Sequence, residues 1–242
     1  CPGAGLVVGA PNIVLDLNGH TIHPPAVFVD PGEEDGLLAG VRNSGYTNVV
    51  IRNGTVKGYG YGVLLTGGTT RTVIEDMTLD ANLLAGIELN DADDGRNGNT
   101  IRDNFLTGNG ESAISLINGA ENSVITNNEL IGNGGVGFQL IEADGHRFEN
   151  NTMVGTTASA LVDSDSGANL EHSSDNVFLN NTFTDFGDAG FVVTLGSHRN
   201  LVQGNEIVRS GDAGVYVQDS DENRVIDNVA HQSSDGGVVI NN

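Results

Sequence analysis

The segment Val56–Gly62 reads VKGYGYG and holds the chain's only lysine, Lys57. Three of the four tyrosines, Tyr46, Tyr59 and Tyr61, fall in or just before it. Arg42 is expected to face outward one turn of chain earlier. Asp80 is expected beside Lys57 one turn later, with Glu88 beyond it and His23 nearby. A cation that neutralises a uronate, next to a Lys, Tyr or His able to take the C5 proton, is what β-elimination requires. Aromatic faces beside charged hydrogen-bonding groups are equally what a sugar-binding surface presents. Lys57, Tyr59, Arg42 and Asp80 are therefore catalytic candidates, and Tyr61, Glu88 and Tyr46 are ligand-binding candidates. The competing expectation is an ordinary Lys57–Asp80 pair, with the tyrosines packed against a loop.

A second group is acidic. Asp91, Asp93 and Asp94 lie in NDADDGRNG, Asp163 and Asp165 in DSDSGANLEHSSD, and Asp219 and Asp221 in QDSDEN. All three segments are read as following the same strand, at one edge of the structure. Their oxygens are of the type calcium takes, although none matches the Asp-x-Asp-x-Asp-Gly loop with its distal Glu. The alternative is a solvated acidic edge. The six histidines are scattered without metal-ligand spacing. No Ser-His-Asp or Cys-His arrangement is suggested, since the only cysteine is Cys1. No cofactor is expected to be required, and calcium is the ion considered for these residues.

What must position these groups is a repeat. A small residue followed by a short apolar strand recurs as GVLL at Gly62, GIEL at Gly86, AISL at Ala113 and GFQL at Gly137. It continues as ALVD at Ala160, GFVV at Gly190, GVYV at Gly214 and GVVI at Gly237. The steps are 24, 27, 24, 23, 30, 24 and 23 residues. A second series keeps the same time, from RNGTV at Arg52 to IDNVA at Ile226. Such a period means a solenoid or array. Within each unit, short alternating runs are punctuated by Asn, Gly and Asp, which is strand and turn chemistry. Coils of strands stacked one unit per turn share a single core.

Alternation gives the register. In the first strand Val63, Ile87, Ile114, Phe138, Leu161, Phe191, Val215 and Val238 are expected inward, and their followers Leu64, Glu88, Ser115, Gln139, Val162, Val192, Tyr216 and Val239 outward. Two further inward columns run from Ile51 to Val225 and from Val56 to Ala230. Asn104, Asn128, Asn151, Asn181, Asn205 and Asn228 are expected to form a ladder that satisfies each amide from the coils above and below. Sequons at Asn53, Asn150 and Asn180 adjoin it and are read as its by-products on a buried bend.

The unit N-x-V/I-x-x-N-x-L…G-V/I-x-L, with the opening NIVLDLNGHTI at Asn12–Ile22, resembles the right-handed parallel β-helix proteins. These form the pectin-lyase-like superfamily, with the carbohydrate-binding and sugar-hydrolase group and its nitrous-oxide-reductase accessory protein (NosD-like). The resemblance implies an all-β fold: a right-handed single-stranded parallel β-helix of about nine coils of about 24 residues, one domain over residues 1–242. The polygalacturonase segments GHG and RIK are missing, as is the Tyr-Gly-x-Asp-Pro-His run of alginate epimerases. The resemblance therefore speaks to the scaffold more than to an activity.

With 32 acidic against 10 basic residues and a net charge of −22, nucleic acid is excluded as an expected partner and an anionic membrane surface is disfavoured. No run of 18 apolar residues would insert into a bilayer. The chain begins and ends on strand-like sequence without a polar cap, which predicts a fragment of a longer secreted protein or end-to-end self-association. The leading expectation is a secreted, periplasmic or cell-surface module that binds or scaffolds a glycan. The alternatives are a polysaccharide lyase or glycoside hydrolase, and a structural stalk or filament subunit. Three breaks in the period, Pro24–Ala39, Asn90–Gly98 and Asp163–Asp175, are read either as tolerated surface insertions or as loops that rim a groove.

Overall fold

A computed structural model describes residues 4–24, 39–92, 97–156 and 165–241. These residues form strands, bends and turns without a helix, and every strand pair is parallel. A first sheet stacks ten strands in chain order, and a second sheet of sixteen strands forms the rest of each coil. From Thr100 onward each coil adds two three-residue strands to the second sheet. The two coils before it run straight through as Val50–Lys57 and Val73–Asp80.

Parallel stacking puts like residue on like residue. Ile51, Ile74, Ile101, Ile125, Phe148, Phe178, Val202 and Val225 are register partners in series. So are Val56, Leu79, Leu106, Leu130, Met153, Phe183, Ile207 and Ala230. Both columns follow the expected register and line one continuous core. Phenylalanines fill the core of the later coils: Phe148 stacks on Phe178 at 4.3 Å, and Phe191 meets Phe178 edge-on at 4.6 Å.

The small residue that opens each strand of the first sheet is small for a steric reason. A Cβ on Gly86 would lie 2.7 Å from Leu106 Cδ2, and one on Gly190 would lie 2.3 Å from Ile207 Cγ2. This contact corrects one coil of the sequence reading. Phe138 pairs with Ala168, and Ala168 with Phe191, so the strand there is Ala168–Glu171 and not the ALVD run at Ala160. Its opening residue is Gly167, where a Cβ would sit 2.4 Å from Phe183 Cδ1. The long step therefore precedes this strand. The loop drawn at Asp163–Asp175 shrinks to its early part, and Leu161, Val162 and Asp163 lie outside the described residues. Outward Leu64, Glu88 and Ser115 are nonetheless buried, and Leu64 joins Ala39, Tyr61 and Ala85 in a small apolar cluster separate from the core. Val238 is half exposed on the last coil.

The asparagine ladder forms as expected. Asn151 Oδ1 accepts from the Asn128 backbone amide at 2.9 Å and its side-chain amide at 3.0 Å. Asn151 Nδ2 donates to the Ile125 carbonyl and to Asn181 Oδ1, both at 2.9 Å. A second ladder, Asn82–Asn109–Asn133, runs at another corner. The residue before the first ladder takes positive φ in coil after coil, at Asn53, Asp76, Asp103, Asn127, Asn150, Asn180 and Asp227, a conformation Asn, Asp and Gly adopt at least cost. The sequon asparagines Asn53, Asn150 and Asn180 belong to this row and are exposed, which corrects the buried bend expected for them.

Candidate functional site

The Lys57 group is divided by the fold. Lys57 is exposed on the second sheet, opposite Asp80 in strand register. Gly58, at a φ of 73°, turns the chain, and Tyr59 enters the main core. Its hydroxyl lies against Gly5, and burial raises its phenol above the usual range. Tyr46 is a bend residue: its amide donates to Asn43 Oδ1 at 3.1 Å, and its carbonyl accepts from Asn43 Nδ2 at 2.8 Å. Arg42, Tyr61 and Glu88 face outward from the first sheet instead. Arg42 Nε donates to Ser44 Oγ at 3.1 Å, and its strand neighbour Leu64 pairs in turn with Glu88. The cluster expected around Lys57 is thus two separate surfaces and a core residue.

Glu88 is the electrostatically unusual group on the first sheet. Burial raises its carboxyl above the ordinary range, against hydrogen bonds from Asn90 and the Tyr61 hydroxyl; Glu111 raises it further. Burial and the same two glutamates raise Tyr61 well above the normal phenol range. Glu88 begins a row that continues in register through Ser115, Gln139, Asn169, Val192 and Tyr216. A groove of about 440 Å³ lies over the middle of that row, with Gln139, Asn169 and Val192 along its floor. The turns carrying Glu111, Gly134 and Gly135 form one wall, and Glu171 and Asp188 add two more carboxylates. Position 135 must be glycine or distort, because a Cβ there would lie 2.4 Å from the Glu111 carbonyl oxygen. Asn169 Nδ2 donates to Glu171 Oε1 at 2.9 Å, and the Ser166 hydroxyl donates to Asp188 Oδ2 at 3.3 Å.

Sequence reasoning passed over Glu111 and Asp188. The signal was present in FGDAGFVV and SGDAGVYV, where an aspartate recurs at one bend. Asp188, Asp212 and Asp235 stack there on successive coils, amide to carbonyl, and burial together with Asp235 raises the Asp212 carboxyl.

The acidic loops do not share one edge. Asp91 and Asp219 occupy the positive-φ position after a first-sheet strand, whereas Asp165 precedes the strand Ala168–Glu171 at the opposite edge. Asp165 is buried, with its carboxyl raised chiefly by that burial, and its Oδ1 has no hydrogen-bond partner among the described residues. Asp93, Asp94 and Asp163 lie outside the described residues. Among the described residues, no group of three or more His, Cys, Asp or Glu is placed to hold a metal ion. Nor is any helix long and apolar enough to cross a membrane.

The family model described as the right handed beta helix region matches residues 34–153 and 140–242, and the chain belongs to that family. No curated protein matches it in sequence. The catalytic unit of a thermostable GH87 α-1,3-glucanase from Streptomyces thermodiastaticus strain HF3-3 is similar in structure, with a TM-score of 0.59 at 14% identity. That match covers 83% of this chain and 49% of the glucanase unit. The Dettilon tailspike protein aligns at a TM-score of 0.61 and 14% identity, over 96% of this chain and 56% of the tailspike. A double mutant of the periplasmic alginate epimerase AlgG aligns at a TM-score of 0.61 and 13% identity, over 98% of this chain and 71% of the epimerase. This chain thus spans about half of each of the first two, and at these identities the likeness is one of fold.

Proposed function

We propose that the outer face of the first sheet binds a polysaccharide along the stack. The groove over Gln139 and Asn169 carries this reading. Its floor is two amides on adjacent strands, which can donate and accept, and carboxylates and a hydroxyl stand around them. Parallel coils repeat every ~4.8 Å, so a glycan chain lying along the axis meets polar groups at regular intervals. Two structural neighbours, an α-1,3-glucanase and an alginate epimerase, are consistent with a glycan ligand. The reading is that of a module exported to the periplasm or cell surface, and it needs no cofactor. Hydrolysis in the groove is a second reading, favoured by its three carboxylates, Glu111, Glu171 and Asp188.

Binding of the whole chain to a glycan panel tests the proposal. Gln139→Ala with Asn169→Ala should weaken binding about tenfold without moving the melting temperature, since both side chains point outward. If Lys57→Ala weakens binding and the double variant does not, the site is the Lys57–Asp80 corner of the second sheet.

A further inference from the structure

The charge of the groove narrows the ligand further, an inference that rests on the glycan-binding reading above. Among the described residues, three carboxylates line the groove and no Arg or Lys does. Five of the chain's nine arginines pair with carboxylates elsewhere: Arg52 and Arg102 on Glu75, Arg147 on Glu149, Arg199 on Asp175, and Arg209 on Asp185. A uronate chain would bring a carboxylate with each sugar against Glu111, Glu171 and Asp188. Like charges repel more strongly in a partly desolvated groove than in bulk water, and nothing in the lining would neutralise them.

What the lining offers suits hydroxyls. The amides of Gln139 and Asn169 both donate and accept. Glu171 and Asp188 already accept from neutral donors, the Asn169 amide and the Ser166 hydroxyl, which is the role a sugar hydroxyl would extend. We infer that the groove takes a neutral, hydroxyl-rich polysaccharide and rejects uronate-containing ones. The β-elimination considered for Lys57 has no place in this groove, because that chemistry needs a cation beside the uronate carboxylate.

Isothermal titration of the whole chain with neutral glucans, fructans and mannans, with polygalacturonate and with chitosan tests this. A neutral polymer should bind, with affinity unchanged between about 0.05 and 0.5 M NaCl and lowered about tenfold by the Gln139→Ala, Asn169→Ala variant. Polygalacturonate should bind at least about a hundredfold more weakly. Polygalacturonate bound as tightly as any neutral polymer, and weakened by the same variant, would leave the glycan site standing and overturn its neutral specificity. Salt-sensitive binding of chitosan alone would overturn it too. Failure of every polymer to bind would remove the glycan reading and this inference together.

Discussion

His146 should act as an acid-sensitive point in the core. It is fully buried and belongs to a corner column in which each side chain accepts the backbone amide of the coil before it. Asn99 accepts from Thr72, Ser123 from Asn99, His146 from Ser123, Asn176 from His146, and Asn200 from Asn176. The imidazole copies an asparagine. Nδ1 accepts from the Ser123 amide at 3.1 Å in place of Oδ1, and Nε2 donates to the Ala120 carbonyl at 2.9 Å in place of Nδ2. Both bonds require the neutral ring, since a proton on Nδ1 would face the Ser123 N–H. Burial pushes the ring's pKa down from 6.5 to about 4.

The unfolded chain therefore takes up this proton at a higher pH than the folded chain, and the stability the site contributes is lost as pH falls from 6.5 toward 4. At about 1.4 kcal/mol per unit, the loss between pH 7 and 4.5 is about 2 kcal/mol from this residue. Urea denaturation across that range measures it, against His146→Asn as the comparison. The asparagine can make the same two bonds and does not titrate. It leaves a void beside Phe148, whose ring lies 6.2 Å away, so the variant should be less stable at pH 7. The gap between the two proteins should then narrow by about 2 kcal/mol at pH 4.5. Parallel loss of stability in both would show that His146 is not held neutral, and the column argument would fail at that position.

Three further outcomes follow from the same architecture. Asn151→Ala removes four ladder bonds and should cost about 3 kcal/mol in chemical denaturation. Phe138→Asp places a charge between Ile114 and Ala168, against Phe148 at 4.7 Å, and should yield a chain without cooperative melting. A normal melt would mean that the inward register is wrong. Leu195 is 48% exposed at a φ of 53°, so Leu195→Asn should raise stability by about 0.5–1 kcal/mol by relieving left-handed strain. A lower melting temperature would show that Leu195 packs usefully.

The inner columns were legible because every coil must present the same apolar positions to one core. Eight coils of agreement from Ile51 to Val225 leave little freedom. The coil after Phe138 was misread because ALVD and GANLE both offer a small residue followed by apolar alternation. What selects GANLE is the Phe183 ring against Gly167, a contact between two stretches of the coil that a period cannot express. Tyr59, a catalytic candidate by its neighbours in sequence, lies in the core for a local reason: Gly58 takes positive φ and turns the chain, and the next side chain enters the core. His146 stands out from no repeat by residue type, because asparagine is the ladder's signature in the sequence. Its place, 23 residues after Ser123 and 30 before Asn176, is that of a ladder residue with nitrogen in place of oxygen.

The same repetition that makes the fold readable limits where specificity can reside. An inward position is fixed by the coils on either side of it, and large-to-small changes there typically cost about 2–5 kcal/mol. Outward Gln139, Asn169 and Val192 under the groove are partly exposed, and exchanges at such surface positions are usually within about 0.5 kcal/mol, whereas Glu88 and Ser115 in the same row are buried. The inward rows accordingly repeat Ile, Leu, Val and Phe. The outward row varies along its length, through Glu88, Ser115, Gln139, Asn169, Val192, Tyr216 and Val239. Substitution along that row can alter what the groove accepts while leaving the core and the ladders intact. A column in which neighbouring coils do not impose the same side chain is where chemistry unrelated to folding can be written, and on this chain the groove lies over that row.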